Sequence, residues 1–394
     1  MLNGSKPGDT DLDGYLRYVK DFLAWELRRL RPGWAAPPWE PDQQLNRAPF
    51  FLDSLELVEL AGLLADRFHV RATGAEDYFL ARRTPKDWAE LLKYTRDQKV
   101  PDISFASSGS TGSPRLLTHS WENLVREASF FAQQIQGRTR VVKTVPSHHI
   151  YGFLFTWLLP ESSGLDVAEQ SPEAPDWKPG DLVVTVPFLL GLWLERRLTI
   201  PDDVVFTLST APFPPELAQS LLDAGGHYYE IFGSSETAGI GWRTRPSRPF
   251  ELLPWWKVFP GDSERAPFLQ QGEATVYEFP DEVEFPEPGF VFPRGRRDGA
   301  VQVGGVNVFP ARVKAVLEKH TEVAQAAVRP AKDGTSARMK AFIVPRNPQD
   351  FDQNALETSL RDWAAQHLSA PERPTSYTFG YALPRSPLGK DADW

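Results

Sequence analysis

Between Asp11 and Arg31 the apolar residues Leu12, Leu16, Val19, Phe22, Leu23, Trp25 and Leu27 recur at near-helical spacing, and the Pro-rich stretch 32–41 ends the pattern. A second helix is predicted from Ser54 to Phe68 and a third from Thr84 to Tyr94, where Thr84 with Asp87 makes a capping arrangement and Pro85 suits the first helical position. The first hundred residues or so therefore read as a small helical unit. From Val100 the pattern changes. Short apolar runs at 100–106, 140–145, 181–186, 204–207 and 228–232 read as strands, and the segments 121–134 and 215–224 read as helices between them. That alternation predicts an α/β sheet layer. Residues 246–294, rich in Pro, Phe and Glu, read as a β region with loops. After Arg296 a last unit begins, with a strand near 301–303, a helix at 310–320, strands at 323–328 and 340–344, and a helix at 354–368. The expected division is a helical unit at 1–98, an α/β core at 99–296 and a small C-terminal α+β unit at 297–394. No internal repeat interrupts it.

Composition narrows the function. A chain of 394 residues is too long for one small core and suggests two or three domains. The net charge is −9 and no Lys/Arg run stands out, which argues against nucleic acid or an anionic membrane as the main partner. Cysteine is absent, so the chain has no disulfide, no thiolate metal site and no side chain able to carry an acyl thioester. The polar start lacks a signal-peptide core and no apolar stretch reaches membrane-spanning length, so a cytoplasmic location is expected.

Candidate chemistry begins at the loop Ser107-Ser108-Gly109-Ser110-Thr111-Gly112-Ser113-Pro114-Arg115, which follows the first predicted strand. Glycines let the backbone turn tightly, and N–H and hydroxyl donors can then converge on an anion such as a polyphosphate. No Gly-Lys-Ser/Thr closes the loop, so it is not a Walker loop. Five segments follow in order: Pro146-Ser147-His148-His149-Ile150-Tyr151-Gly152, Thr210-Ala211-Pro212, Phe232-Gly233-Ser234-Ser235-Glu236-Thr237, Gly295-Arg296-Arg297-Asp298, and Leu383–Lys390 with Gly389 before the lysine.

From roughly Val100 to the C-terminus, this ordered set resembles the adenylate-forming superfamily: acyl- and aryl-CoA synthetases, peptide-synthetase adenylation domains and luciferases. The resemblance implies an adenylate-forming fold with a truncated large N-terminal domain and a small mobile C-terminal domain. It implies ATP and Mg²⁺ as cofactors, a carboxylic acid as substrate, and the phosphopantetheine thiol of coenzyme A or a holo acyl carrier protein as acceptor. By residue-wise match, Ser107 to Gly112 and Arg115 would cradle the β- and γ-phosphates, with Arg115 standing where the family usually has Lys. Thr210, Ala211 and Pro212 would lie along the adenine, Phe232 with Gly233 would pack on it, and Phe232 replaces the usual Tyr. Ser235 would donate to the α-phosphate or carboxylate, and Glu236 would hold Mg²⁺. His149 matches a histidine beside the acid pocket, its rival reading being a hydrogen-bonded pair with His148 at a strand end. Asp281 matches the ribose-binding aspartate, supported by its fifteen-residue spacing to Arg296, although Glu278, Glu282 and Glu284 leave a charged strand face as the alternative. Arg296 matches the arginine at the domain junction, Asp298 the hinge, and Lys390 the lysine that bridges α-phosphate and carboxylate during adenylation.

The first hundred residues depart from the family. Asp53-Ser54-Leu55-Glu56-Leu57 resembles the phosphopantetheine attachment site of acyl carrier proteins, but Phe51 replaces the usual Gly. A modified Ser54 and a plain helix start are both compatible with that pattern. A narrower resemblance is to aryl-acid ligases of aryl polyene or xanthomonadin-type pathways, such as 4-hydroxybenzoyl–carrier ligases. The rival function is a non-catalytic nucleotide-binding or docking module.

Overall fold

The computed structural model describes residues 12–31, 33–107, 115–259, 267–271, 275–279, 281–296, 299–303, 306–331, 338–384 and 394. Four helices come first: α1 (Asp13–Leu30), α2 (Ser54–Arg67), the short α3 (Tyr78–Ala81) and α4 (Pro85–Asp97). The Thr84 hydroxyl accepts the Asp87 N–H, and Pro85 occupies the first turn as expected. At α2 the cap is Asp53. Its carboxylate accepts the N–H groups of Leu55 and Glu56 at 2.8 Å each, while Glu56 accepts the Asp53 N–H at 3.0 Å. This reciprocal box makes Ser54 an exposed first helical residue rather than the cap.

The inward faces of these helices are buried against the rest of the chain. Tyr15, Tyr18, Phe22 and Phe68 share one continuous core with Phe105, Trp121, Phe153 and Trp157. Tyr15 meets Trp157 edge-on at 4.6 Å between ring centroids, and Tyr18 meets Phe68 at 4.9 Å. Each buried ring contributes about 2–3 kcal/mol.

The chain then forms the antiparallel hairpin β1 (Asp102–Ser107) and β2 (Arg115–Ser120), with Ser107 paired to Arg115. Helix α5 (Trp121–Gln134) and strand β3 (Arg140–Lys143) follow. Next comes a continuous helical stretch not foreseen from the sequence: α6 (Ile150–Phe153), a π turn at Leu154–Leu158, and α7 (Leu159–Ser163). Then come β4 (Asp166–Glu169), β5 (Asp181–Thr185), α8 (Pro187–Glu195), β6 (Val205–Leu208), α9 (Pro215–Asp223), β7 (His227–Ser234), β8 (Ala238–Arg243) and β9 (Phe250–Leu252). A separate antiparallel sheet holds β10 (Trp256–Phe259), β11 (Phe268–Gln271) and β12 (Thr275–Glu278). Strands β13 (Asp281–Glu284) and β14 (Phe290–Arg296) rejoin the main sheet.

That sheet has nine strands in the order β13-β14-β9-β8-β7-β6-β5-β3-β4. Strands β4, β3, β5, β6 and β7 are parallel, and from β7 outward the pairing turns antiparallel. The parallel half is covered on both faces. One face belongs to the large core, and the other packs Trp177, Trp193, Phe206, Phe213 and Tyr228. Burial on both faces explains the apolar runs of β3, β5 and β6, whereas β4, at the edge of the sheet and half-exposed, reads Asp-Val-Ala-Glu.

The last unit has β15 (Val301–Val303), β16 (Val306–Val308), α10 (Pro310–Leu317), β17 (Val323–Ala331), β18 (Arg338–Pro345), α11 (Gln353–His367) and β19 (Ser376–Phe379). Val313, Leu317, Ala326, Ile343, Leu356 and Leu360 form its own core. Among the described residues no helix is long and apolar enough to cross a membrane.

Candidate active site

Three of the singled-out segments leave from the carboxyl ends of parallel strands in one sheet: 144–149 after β3, 209–212 after β6, and 234–237 at the end of β7. In open α/β sheets this edge is where ligands settle, because the loops there diverge and leave a crevice.

His149 opens helix α6 instead of lying at a strand end. Two features fix it. Tyr151, two residues on, donates its hydroxyl to the Thr185 carbonyl at 3.1 Å and to the Thr207 hydroxyl at 2.9 Å, pinning the helix to the ends of β5 and β6. Gly152 packs so closely on Pro146 that any side chain there would run into the Pro146 carbonyl oxygen. From the other side comes α1. Asp21 accepts the Ser147 N–H at 2.6 Å and pairs with Lys143 at 2.9 Å. The Trp25 ring lies 5.1 Å from His149 and 5.5 Å from His148, and the two imidazoles are 4.2 Å apart. His148 is buried with no hydrogen-bond partner on either ring nitrogen. Burial, and then the charge of Arg67, lowers His149 to about 4. Burial, and then its neighbour His149, holds His148 well below the usual histidine value. Both rings are therefore neutral at pH 7.

After β6, Ser209 donates its hydroxyl to the Ile231 carbonyl at 2.9 Å, tying this turn to β7. Thr210 then adopts φ +76°, a left-handed conformation rare for a β-branched residue, and its hydroxyl is buried without a partner. Ala211 and Pro212 follow, with Pro212 exposed.

Strands β7 and β8 form a hairpin whose tip is Ser235-Glu236-Thr237. A bulge between Phe232 and Gly233 shapes it, and Ala238 takes φ +59°. Within the tip the Ser234 hydroxyl accepts the N–H groups of Glu236 and Thr237, each at 3.2 Å. Phe232 is half-buried, 5.3 Å from Phe250. Glu236 is exposed. From β2, His119 donates its Nε2–H to the Ser235 carbonyl at 2.8 Å. The hairpin that flanks the phosphate-type loop is thus tied directly to the turn that carries Glu236.

Asp281 and Arg296 face each other as register partners on β13 and β14, which is the structural meaning of their spacing. Glu284 pairs with Arg294 at 2.5 Å further along the same ladder. Ser108, Gly109, Ser110, Thr111, Gly112, Asp298 and Lys390, and the side chains of Ser107 and Arg296, lie outside the described residues.

Sequence reasoning missed Asp21, Trp25, His119 and Glu127. Glu127 left a trace. It falls on the buried face of α5 with Trp121, Leu124, Ala128 and Phe131, where an unpaired carboxylate would be costly. There it accepts the Gly239 N–H with both oxygens, at 3.0 and 3.1 Å. Burial pushes this carboxyl up to about 8, so it is mostly protonated at neutral pH. Asp21 and Trp25 left no such trace, since their partners lie over a hundred residues away.

A family model described as the AMP-binding enzyme C-terminal domain matches residues 312–390. A 4-coumarate–CoA ligase of Halorhodospira halophila is 36% identical over 390 residues, covering 96% of this chain and 98% of that protein. A 4-coumarate–CoA ligase of Cereibacter sphaeroides is 35% identical over 372 residues, covering 91% and 87%. Among solved structures, a mutant amide bond synthetase from Marinactinospora thermotolerans has a TM-score of 0.61 at 17% identity, covering 99% of this chain and 94% of that one. An o-succinylbenzoate CoA synthetase from Bacillus subtilis has a TM-score of 0.60 at 19% identity, covering 73% and 67%. The structural matches show the shared fold. The near full-length relatives carry the assignment further: the chain belongs to the adenylate-forming superfamily, among its AMP-forming acyl-CoA ligases.

Proposed function

We propose that the protein adenylates an aromatic carboxylic acid with ATP and passes the acyl group to the thiol of coenzyme A. A carboxylate oxygen attacks the α-phosphorus, and the bond to pyrophosphate breaks. The thiol sulfur then attacks the acyl carbon, loses its proton, and AMP leaves with the former carboxylate oxygen. The observation that carries this reading is the convergence of the segments after β3, β6 and β7 on one sheet edge, with His119 joining the phosphate-type hairpin to the Glu236 turn.

In this reading the 107–115 loop holds the β- and γ-phosphates, the 209–212 turn and Phe232 flank the adenine, and Asp281 takes the ribose hydroxyls. His149, neutral and braced by α1 and Tyr151, orients the carboxylate. Lys390 steadies the carboxylate and α-phosphate in the first step, and the unit after Arg296 turns about Asp298 before the second. The donor set fits Mg²⁺, which is normally held by one or two carboxylates plus phosphate oxygens, and Glu236 is an exposed carboxylate on a fixed turn. Bound there, the ion would neutralise phosphate charge as pyrophosphate departs. The aromatic surroundings of His149 and the names of the relatives favour an aryl acid such as 4-coumarate, and the same names favour coenzyme A over a carrier protein. Such an enzyme would work in the cytoplasm, where ATP and coenzyme A are at hand.

The test is pyrophosphate release with a panel of 4-coumarate, 4-hydroxybenzoate, benzoate and hexanoate, followed by thioester formation with coenzyme A or a holo carrier protein. Aryl acids should exceed hexanoate in kcat/KM by at least about tenfold, and coenzyme A should be acylated. If no acid elicits pyrophosphate release, the protein is a nucleotide-binding module instead.

A further inference from the structure

Beside the Glu236 turn lies a cavity of about 220 Å³ lined by Thr118, His119, Asn123, Glu127, Thr237 and Gln271. Its wall holds the Glu127 carboxyl group, which the adenylation chemistry above does not use. Glu127 belongs to α5, directly after the phosphate-type hairpin, and its two oxygens both reach the Gly239 N–H. Gly239 is gripped from its other side too, since the Trp256 indole donates to its carbonyl at 2.8 Å. The fit is tight: a Cβ on Gly239 would collide with Glu127 Oε1. Gly239 pairs with Gly233 across the β7–β8 hairpin, at the foot of its tip. At the other end of that tip His119 holds the Ser235 carbonyl. Glu236 therefore sits between two anchored residues, and both anchors come from the β2–α5 segment.

We propose that Glu127 is a positioning residue for adenylation: by accepting the Gly239 N–H it fixes the turn that presents Glu236 to the metal–nucleotide complex. The proposal rests on the ligase reading above. The role needs an acceptor oxygen at full side-chain length, not a charge. Shortening the arm by one methylene in Glu127→Asp withdraws the acceptor from Gly239, whereas Glu127→Gln keeps an amide oxygen at the same reach. Neither substitution opens a large void.

The experiment compares wild type, Glu127→Asp and Glu127→Gln in two readouts, with thermal melts as a check of folding. The first is acid-dependent ATP–pyrophosphate exchange titrated with Mg²⁺. The second is amide hydrogen exchange of the segment 234–241 in the ligand-free protein. Glu127→Asp should raise the Mg²⁺ half-saturation by about fivefold or more and speed Gly239 exchange by about tenfold, with thioester formation from supplied acyl-adenylate unchanged. Glu127→Gln should stay within about twofold of wild type in both. If Glu127→Asp does not fold, Glu127→Met takes its place with the same expected rise, because it fills a similar space and offers Gly239 no acceptor oxygen. A Glu127→Asp or Glu127→Met protein with wild-type Mg²⁺ dependence overturns the proposal, as does a Glu127→Gln protein that loses it. Wild type without acid-dependent exchange would instead overturn the ligase reading, and hydrogen exchange would still decide whether Glu127 holds the turn.

Discussion

Replacing Glu127 by Gln should change how stability depends on pH. In the folded protein burial raises this carboxyl from an ordinary 4.5 to about 8, with the Gly239 N–H offsetting part of the cost. The unfolded chain ionises it near 4.5, so between about 4.5 and 8 the folded state binds more protons than the unfolded state. Stability linked to Glu127 is therefore fully present below about pH 4.5 and is lost as pH rises toward 8. At ~1.4 kcal/mol per unit, the loss by pH 7 is roughly 3 kcal/mol as an upper estimate. Gln does not titrate and keeps the acceptor oxygen, so it lacks this loss. Differential scanning calorimetry at pH 5, 6, 7 and 8 should show the Glu127→Gln Tm gaining on wild type by about 3 °C between pH 5 and 7, since about 2.5 kcal/mol of the loss falls in that interval and a chain of this size takes ~0.8 kcal/mol per degree. Parallel Tm curves for the two proteins would refute the reasoning and show that Glu127 titrates alike in the folded and unfolded chain.

Asp21→Ala removes the acceptor of the Ser147 N–H and the partner of Lys143, so His149 loses its brace from α1; acid-dependent ATP–pyrophosphate exchange should fall about tenfold in kcat/KM for the acid, and an unchanged value would detach α1 from the site. Thr210→Gly should raise stability by about 1 kcal/mol by relieving a β-branched residue at positive φ, visible as a small increase in Tm, and a fall in Tm would show that the Thr210 side chain contributes more than the strain costs. Ser54→Ala should leave ligase activity intact and stability within about 0.5 kcal/mol, because Asp53 is the cap and Ser54 is exposed; a mass gain after treatment with a phosphopantetheinyl transferase, absent in the variant, would make Ser54 a carrier site.

Strands β3, β5, β6 and β7 and helices α5 and α9 were legible because their apolar runs and amphipathic faces carry period and punctuation, whereas β4, a half-exposed Asp-Val-Ala-Glu edge, and α8, apolar nearly all round, carry neither. Helix α5 runs over Trp121–Gln134 as the spacing predicts, and β15 over Val301–Val303. The helix after His149 was not, because Gly152 and Pro160 look like breakers. Packing accounts for Gly152, which is needed for its close approach to Pro146, and Pro160 falls just after the π turn Leu154–Leu158, where the regular helical ladder is already interrupted. Strand β8 was hidden by its own composition. Ala-Gly-Ile-Gly has little strand signature, and Gly239 is required by the carboxyl group that touches it. At the site, the reading from motifs named candidate residues, and the structure sets two of them, Asp281 and Arg296, in register across β13 and β14. It could not find the residues that hold them. Asp21, His119 and Glu127 each act on a backbone group more than a hundred positions away, and no local pattern encodes such a partner.

The central claim is that an acid oxygen attacks the α-phosphorus of ATP. It is tested most directly by incubating the protein with ATP, Mg²⁺, coenzyme A and 4-coumarate labelled with ¹⁸O in both carboxylate oxygens, then weighing the AMP by mass spectrometry. The account expects one heavy oxygen in each AMP formed, matched by one molecule of thioester. Unlabelled AMP, or ADP with the label in inorganic phosphate, would contradict it.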